Sequence, residues 1–483
     1  MRDIRLNHYM AYHSYQIYGY LTLFLLCLVG YFVYMGLSGV LFFVPTFVGT
    51  ALLWQLIRES VQRGSTFFHP IPLVCAVMIW AYCLSPAYAV YVDPAIFFPP
   101  SEIAWESALA RMSWLYFFCV VSFYLGCHIR IFPLPQTQWR IDKRKLLYCS
   151  ALFLPLTFLA QCAIFAQFGG LIGYMQSWSD AKESFDNLGT LFMVSEAFPI
   201  LLFMVVIFLM DRDALRRNRR RIVLLLIVFF IIKMVFGGFR GSRSNTIWGL
   251  FWFAGIFHLY IRPFKLRHFV IASLFLFAFM QVYSLYKSFG IDSFSGQYTL
   301  EDTSRFGDSV ADAIFLNDFS RVGNNAYIVE RFNNGEYQLK FGQTYLSSLL
   351  KMTPPLARFF PLYSKNSAGI ESFYGSNVST DSQYYANTRI YGPYGEGFLN
   401  FGPYLPILIF LLLGVVIMNI NDGLTSLSRD DPRILLVPFV TNGLLLCALS
   451  DSDNVVFFVF KNGLFALVFL RLASVRLVGR VTR

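Results

Sequence analysis

Long apolar runs separated by short polar segments dominate this chain of 483 residues. A helix needs about 20 mostly apolar residues to cross the core of a bilayer, and such runs recur from Tyr18 to Leu470. The pattern predicts membrane helices at residues 17–35, 39–57, 70–92, 107–128, 147–167, 190–210, 221–237, 245–261, 268–287, 399–419, 433–449 and 454–472. We therefore expect an all-α polytopic membrane protein with about 12 transmembrane helices.

One long polar segment interrupts this pattern between the ninth and tenth predicted helices. It runs from about residue 288 to 398, which is too long for a passive connection in a compact bundle. Apolar residues at helical spacing in its first part, and again from Gln343, predict short amphipathic helices. The chain thus divides into residues 1–287 with helices 1–9, a helical cap or lid at 288–398, and residues 399–483 with helices 10–12.

Composition agrees with lipid as the surrounding solvent, since 56% of the residues are hydrophobic and 14% are charged. The net charge of +11 lies mainly in short loops between the apolar runs. With a cytoplasmic N-terminus, nearly all basic loops face the cytoplasm and the acidic loops face outward, as the positive-inside rule requires. This placement predicts cytoplasmic N- and C-termini and an outer position for the 288–398 segment. It argues against nucleic acid as a partner.

One short loop breaks the charge rule. The turn GGFRGSRSN between the seventh and eighth predicted helices puts Arg240 and Arg243 on the outer side. Its glycines permit close approach to a ligand, and Ser242, Ser244 and Asn245 can cap the next helix, whose N-terminal amides favour an anion. The functional interpretation is a phosphate-binding turn. The alternative is that both guanidinium groups reach lipid phosphates or acidic residues of the long outer segment.

A carboxylate lies among aromatic and glycine residues where the outer segment returns to the membrane. The sequence TRIYGPYGEGFLNFGPYLP places Arg389 and Glu396 near the mouth of the tenth predicted helix and Asn400 at its start. Burial raises the pKa of a carboxyl group, which would suit Glu396 to accept a proton from a substrate hydroxyl. In the alternative interpretation, Glu396 forms a structural salt bridge with Arg240, Arg243 or Arg389.

Signals for several other chemistries are missing from the sequence. It contains no Walker loop, no dinucleotide fingerprint, no HExxH and no DxD-type pair in a soluble domain, and no cysteine lies in the outer segment. We therefore expect no metal site and no cofactor. The predicted topology places all six histidines on the cytoplasmic side. A general base at the outer face must then be a carboxylate or the substrate itself.

Four charged residues fall inside predicted membrane helices, namely Arg111, Glu196, Lys233 and Lys461. Charged groups near the midplane of a membrane helix are typical of transporters. The predicted topology puts all four in the outer halves of their helices, where they can form mutual salt bridges or extend to the interface. This one-sided placement favours chemistry at the outer surface over alternating access.

Taken together, the layout resembles the Wzy family of O-antigen or oligosaccharide repeat-unit polymerases. The resemblance depends on the topology and on two stretches, GFRGSRSNTIW before a helix and YGPYGEGFLNFGP after the long outer segment. It implies a metal-independent, inverting glycosyltransferase of GT-C type in a bacterial inner membrane. Donor and acceptor would both be oligosaccharides on undecaprenyl diphosphate. A separate chain-length regulator is an expected partner, besides membrane lipid.

The resemblance also implies roles for individual residues. Arg240 and Arg243 would neutralise the leaving diphosphate, and Glu396 would orient or deprotonate the acceptor hydroxyl. Further candidates for substrate binding are Arg321, Arg305, Arg389, Asn400, Ser242 and Tyr394.

Two other functions remain open at the level of sequence. O-antigen ligases share this architecture, but those of the family use a periplasmic histidine, which the predicted topology does not offer. A flippase or other transporter of lipid-linked oligosaccharides is the alternative from a different class.

Overall fold

The computed structural model describes residues 40–92, 105–131, 137–180, 188–240, 243–297, 316, 319–335, 337–350 and 390–477. Its helices are α1 (40–62), α2 (Pro70–Val92), α3 (Trp105–Gly126), α4 (Lys143–Gln167), α5 (Leu171–Asp180), α6 (Gly189–Leu209), α7 (Arg212–Arg217), α8 (Arg219–Val235), α9 (243–261), α10 (Leu266–Phe289), α11 (Val322–Asn333), α12 (Gln343–Leu350), α13 (Gly392–Phe401), α14 (Leu405–Thr425), α15 (Pro432–Leu449) and α16 (Ser452–Ala473). Short 3-10 turns cover Gly238–Arg240 and Gly290–Ser295, and two strands form, β1 (Gln138–Ile141) and β2 (Ser474–Leu477).

Seven of the described helices are long and apolar enough to cross a membrane, namely α2, α3, α4, α6, α14, α15 and α16. They confirm the predicted all-α class and indicate a multi-pass membrane protein. Helices also form at the predicted segments 39–57, 221–237, 245–261 and 268–287, as α1, α8, α9 and α10. That these four cross the membrane stays a prediction. The first predicted helix, 17–35, lies outside the described residues.

The tenth predicted membrane helix begins later than expected. The apolar run predicts a start at residue 399, whereas α14 begins at Leu405 and the separate helix α13 precedes it. Gly402 has a φ of +79°, a conformation that glycine adopts without steric cost. Pro403 has no N–H with which to continue the hydrogen bonds of α13. Asn400 therefore lies near the end of α13 and does not begin a membrane helix.

Loops that were predicted to be cytoplasmic meet at one end of the bundle. Strands β1 and β2 pair antiparallel with Ile141 opposite Ser474, so the start of α4 lies beside the end of α16. Arg130, which follows α3, pairs with Asp422 near the end of α14 at 2.8 Å. These contacts put the loops on a common side, as the charge pattern predicts. Which face of a membrane this side meets stays a prediction.

Segments that were predicted to lie outside meet at the opposite end. Arg111, in the second turn of α3, pairs with Glu330 of α11 at 3.0 Å. Ser320, just before α11, donates a hydrogen bond to Ser85 of α2 at 2.9 Å. Helix α3 has 22 residues and is therefore about 33 Å long. The two ends of the bundle are thus separated by roughly the thickness of a bilayer core.

Buried apolar side chains form two large clusters that share α15. One is built mainly by α1, α2, α3, α11, α13 and α14, and the other mainly by α4, α6, α8, α9 and α16. Helix α13, which carries Glu396, belongs to the first cluster. The GGFRGSRSN turn connects α8 and α9 of the second.

Glycines let α3 and α14 pack backbone against backbone. A Cβ added at Gly126 would overlap the carbonyl oxygen of Leu411, and one at Gly414 would overlap the carbonyl oxygen of Phe123. Small residues commonly form such contacts in membranes, where the hydrophobic effect does not drive helix association. Since α14 follows α13 directly, this contact helps to position the helix that carries Glu396.

We expect Gly414→Ala to lower the free energy of unfolding by about 1–3 kcal/mol, the usual cost of overpacking. The added methyl group would meet backbone of α3, which cannot rotate aside. Gly443→Ala is the matched control, because a Cβ there would lie an ordinary 3.7 Å from the Phe458 ring. Thermal unfolding of the protein in detergent measures both variants. Equal midpoints for Gly414→Ala and the wild type would contradict the prediction.

Candidate functional site

The start of α13 is held by a carboxylate from the loop before α16. The backbone N–H groups of Tyr391 and Gly392 both donate to Asp451 Oδ1, at 2.8 and 2.7 Å. N–H groups at a helix start have no partner within the helix, so this outside acceptor stabilises α13. Gly392 has a φ of +71°, which favours glycine. Pro393 lies in the first turn, where its missing N–H costs little.

The glycines beside Glu396 let α13 lie close to α11. A Cβ at Gly395 would overlap Asn325 Oδ1 of α11. Asn325 Nδ2 donates to the Tyr116 hydroxyl at 2.7 Å and to the carbonyl of Tyr391 at 3.1 Å, which joins α3, α11 and α13. Helix α11 thus packs against the Gly395 side of α13. The Glu396 side chain lies on a different side of α13 and points toward α12 and α16.

The Glu396 side chain is buried, and its two oxygens contact hydroxyl and amide groups. Oε1 lies 2.9 Å from Thr344 Oγ1 of α12 and 2.6 Å from Ser452 Oγ at the start of α16. Oε2 accepts the backbone N–H of Ser452 at 2.6 Å. Among the described side chains, no arginine or lysine pairs with Glu396. Neutral hydrogen-bond donors thus hold this carboxyl group in the described part of the chain.

Two further side chains complete what we call the hydroxyl cluster, made of Glu396, Thr344, Ser348, Asn400 and Ser452. Asn400 Nδ2 donates to the carbonyl of Glu396 and to Thr344 Oγ1, both at 2.7 Å. Ser348 Oγ, one turn after Thr344, lies 2.7 Å from Ser452 Oγ and 2.8 Å from the carbonyl oxygen of Thr344. The cluster therefore joins α12, α13 and α16 through polar contacts.

The pKa of Glu396 is raised to about 7. Burial disfavours the charged carboxylate and is the largest cause, and the negative charge of Asp451 acts in the same direction. Hydrogen bonds from Ser452 and Thr344 stabilise the charged form and limit the rise. A carboxyl group with this pKa can take up and release a proton near neutral pH, as acid–base catalysis requires.

The GGFRGSRSN turn packs against α6 and α10. The Tyr286 hydroxyl in α10 donates to the carbonyl of Phe239 at 2.6 Å. A Cβ at Gly237 would lie 3.0 Å from the carboxyl carbon of Glu196 in α6. The glycine thus lets the turn approach a buried carboxylate closely.

Next to this turn, Glu196 forms a buried ion pair with Lys461 of α16, with Oε2 and Nζ 2.5 Å apart. This confirms a mutual salt bridge for two of the four charges in predicted membrane helices. Lys233 Nζ of α8 also donates to the carbonyl of Glu196, at 3.4 Å. Lys461 further donates to Asn245 Oδ1 at 2.8 Å. The predicted cap by Asn245 is wrong, because α9 begins at Arg243 and Asn245 lies inside its first turn.

The structure places three of the predicted substrate-binding residues around α13. Tyr394 is buried, with its ring edge-on to that of Tyr116 at 4.9 Å. Asn400 is buried as well, and its amide group is engaged in the hydroxyl cluster. Arg321, just before α11, is partly exposed, and its Cγ would lie 3.7 Å from a Cβ at Gly392. The Arg321 guanidinium donates to the carbonyl of Ser320 at 2.6 Å.

The remaining predicted site residues fall in parts of the chain that the structure describes incompletely. Arg305, Arg389 and Ser242 lie outside the described residues. The backbone of Arg240 ends the 3-10 turn and Arg243 begins α9, but their side chains lie outside the description. The proposed salt bridges between these arginines and Glu396 therefore stay a prediction.

Sequence reasoning missed four residues of the site: Thr344, Ser348, Asp451 and Ser452. All belong to elements far from Glu396 in the chain. The sequence DSD at 451–453 carries only an acidic outer loop as its signal, and SS at 347–348 looks like the polar side of an amphipathic helix. Only packing of α12 and α16 against α13 brings these groups to the carboxyl.

Comparisons with known proteins give no relative: no family model, no curated protein and no solved structure matches this chain. The functional conclusion therefore depends on the residues of the chain itself.

Proposed function

We propose that this protein is a membrane glycosyltransferase that polymerises oligosaccharide repeat units carried on undecaprenyl diphosphate. It transfers the growing glycan to the non-reducing end of an incoming lipid-linked unit. The observation that carries the proposal is the Glu396 carboxyl, buried among hydroxyl and amide groups with a pKa near 7, in a protein with membrane-spanning helices. Such a group suits removal of a proton from a sugar hydroxyl.

The reaction needs a proton acceptor and a site for a leaving diphosphate. The hydroxyl oxygen of the acceptor sugar forms a bond to the anomeric carbon of the donor. The bond from that carbon to the diphosphate oxygen breaks, and the diphosphate leaves with the electron pair. Glu396 in its ionised form takes the hydroxyl proton. Attack opposite to the leaving group inverts the anomeric centre, and no metal or cofactor takes part in this scheme.

Arg240 and Arg243 are the residues that we assign to the leaving diphosphate. Guanidinium groups match phosphate oxygens bidentately, and the N-terminal amides of α9, which begins at Arg243, favour an anion. Helix α16 links this turn to Glu396. Its first residue, Ser452, contacts Glu396, and Lys461, about 13 Å farther along the helix axis, pairs with Glu196 beside the turn. Glu396 and the neighbourhood of the turn thus contact the same helix, and that they bind one substrate is part of the proposal.

The proposal places this end at the periplasmic face of a bacterial inner membrane. About twelve transmembrane helices then leave the N- and C-termini in the cytoplasm, and the 288–398 segment covers the site as a lid. Arg321, Arg305 and Arg389 are candidates for the phosphates of the acceptor lipid. The contacts that gather the predicted outer segments at one end, such as Arg111 with Glu330, support this arrangement.

Purified protein incubated with a synthetic lipid-diphosphate repeat unit should form a ladder of multiples. We expect Arg240→Ala and Arg243→Ala each to slow ladder formation by about 10²-fold, as for removal of one group that stabilises developing negative charge. Arg63→Ala is the control, because Arg63 is exposed and its ion pair within the described residues is with Glu59, one turn away. A ladder of wild-type rate in both test variants would remove the turn from the mechanism.

The buried pair Glu196–Lys461 favours a second function, transport of lipid-linked oligosaccharides. Ionisable groups within membrane helices often mark a transport path. Movement of the labelled lipid across sealed vesicles, without any ladder, would support the transporter. Transfer of a finished polymer to a lipid A core, without a ladder, would instead identify a ligase.

A further inference from the structure

The donor and the acceptor of each hydrogen bond in the hydroxyl cluster can be assigned. The assignment starts from two contacts with backbone groups, because a backbone N–H can only donate and a carbonyl oxygen can only accept. The N–H of Gly342 donates to Asn400 Oδ1 at 2.9 Å. The other end of this amide, Nδ2, therefore donates to Thr344 Oγ1. Since Thr344 Oγ1 accepts this bond, its own proton points at Glu396 Oε1, 2.9 Å away.

A backbone carbonyl group makes the second of these contacts. Ser348 Oγ lies 2.8 Å from the carbonyl oxygen of Thr344, which can only accept, so Ser348 donates to it. Because the Ser348 proton is used in that bond, Ser452 is the donor in the 2.7 Å hydrogen bond between the Ser348 and Ser452 hydroxyls. A serine hydroxyl has a single proton. Ser452 Oγ lies 2.6 Å from Glu396 Oε1 and donates to it when the carboxyl group is ionised. With the Ser452 proton directed to Ser348, this contact takes its proton from Glu396 instead.

We infer that Glu396 rests as a neutral carboxylic acid that donates its proton to Ser452 Oγ, and that Ser348 is the positioning residue that sets this direction. Oε2 is then the carbonyl oxygen of the acid and accepts the N–H of Ser452. Every contact in the cluster has one proton. Burial agrees with this state, since a charged carboxylate away from water is costly unless it is paired.

When Glu396 loses its proton, donor and acceptor exchange roles in the hydrogen bonds that join Glu396, Ser452 and Ser348. Ser452 then donates to the carboxylate, and Ser348 turns to donate to Ser452. The carbonyl of Thr344 loses the Ser348 proton in this arrangement. Ionisation thus costs the hydrogen bond between the Ser348 hydroxyl and the Thr344 carbonyl.

This inference deepens the proposed function and, in its consequence for activity, rests on it. Only the ionised fraction of Glu396 can take the proton of the acceptor hydroxyl. We expect the polymerisation rate to rise with pH as that fraction grows. The protonation state itself can be measured without substrate, so the two proposals can fail separately.

Two substitutions shift the ionisation of Glu396 in opposite directions. Ser348→Ala removes the acceptor of the Ser452 proton and frees Ser452 to donate to the carboxylate, so the pKa of Glu396 should fall. Thr344→Val removes a donor that stabilises the charged form more than the neutral form, so the pKa should rise. Each acid dissociation constant should change by about threefold to tenfold, the range for one net hydrogen bond.

Other charged groups near Glu396 are the same in both variants. Asp451 and Tyr345 interact with it electrostatically, Asp453 lies in the first turn of α16, and Arg321 lies before α11. Along α11, Glu330 pairs with Arg111 and Arg331 stacks on Tyr327. The charged residues of α14 and α15, Asp422 and Arg433, lie near the Arg130 end of the bundle.

Infrared spectroscopy of the full-length protein in detergent provides the test. The C=O band of the neutral acid, assigned by its loss in Glu396→Gln, should be present at pH 5 and vanish as the pH rises through about 7. The midpoint should move down in Ser348→Ala and up in Thr344→Val. An ionised Glu396 at pH 5 in the wild type, or an upward shift in Ser348→Ala, would overturn the inference. The first result needs no variant to fold other than the reference.

Discussion

Replacing Glu396 with Gln is expected to slow polymer formation by about 10²- to 10⁴-fold, the usual contribution of a positioned acid–base group. Gln has the shape of neutral Glu. Its amide can donate to Ser452 Oγ, and its oxygen can accept the Ser452 N–H, so both contacts with Ser452 remain. The Thr344 hydroxyl loses its acceptor, because an amide NH2 group cannot accept a hydrogen bond. The ability to take a proton is lost. The measurement is the rate of repeat-unit addition by purified protein, with lipid binding determined separately.

The matched control for this experiment is Glu330→Gln. Glu330 lies at the same end of the bundle but pairs with the partly exposed Arg111, so its loss should leave the rate near that of the wild type. The wild-type rate should also rise as the pH increases through about 7, because burial raises the pKa of Glu396 to that value. Unchanged turnover in Glu396→Gln, with wild-type binding, would make Glu396 a structural residue.

Replacing Lys461 with Met should destabilise the fold by about 3–5 kcal/mol, the cost of removing one partner of a buried ion pair. The substitution removes the ammonium group 2.5 Å from Glu196, whose carboxylate is completely buried. Methionine retains much of the volume of lysine, so the loss is mainly electrostatic. Denaturant unfolding of the protein in detergent micelles gives the free energy difference.

A double variant separates electrostatics from packing in this experiment. Lys461→Met combined with Glu196→Gln should recover part of the lost stability, because no charged partner of the pair then remains buried. Arg111→Met is the control, since exposed pairs such as Arg111–Glu330 typically contribute under about 1 kcal/mol. Equal destabilisation by Lys461→Met and Arg111→Met would contradict the importance assigned to the buried pair.

Helix positions could be predicted from apolar periodicity, with one instructive error. Gly402 and Pro403 lie at the junction of α13 and α14, within a region that is otherwise mostly apolar. The length of an apolar run measures how much chain can be buried, but it does not show where the chain turns. The Gly402-Pro403 pair marks the turn, because glycine adopts a positive φ without steric cost and proline cannot continue the hydrogen bonds of the preceding helix.

The candidate site was predictable in part. Glu396 could be predicted as a site residue, because a carboxylate among Tyr, Phe and Gly is chemically unusual near a membrane. Its partners Thr344 and Ser452 were not predictable, because serine and threonine at chain separations of 52 and 56 residues carry no distinguishing signal. Their importance comes from hydrogen-bond distances, which depend on how three helices pack.

By itself, the sequence determined that the chain forms apolar helices, since lipid requires every backbone hydrogen bond to be satisfied within the segment. It also determined, through the distribution of Arg and Lys, which loops gather at the same end. The tertiary structure alone decided that Glu196 pairs with Lys461 and that Glu396 meets the hydroxyl groups of Thr344 and Ser452. Hydropathy and loop charge act along the chain, whereas pairing of buried polar groups depends on contacts between helices that are distant in sequence.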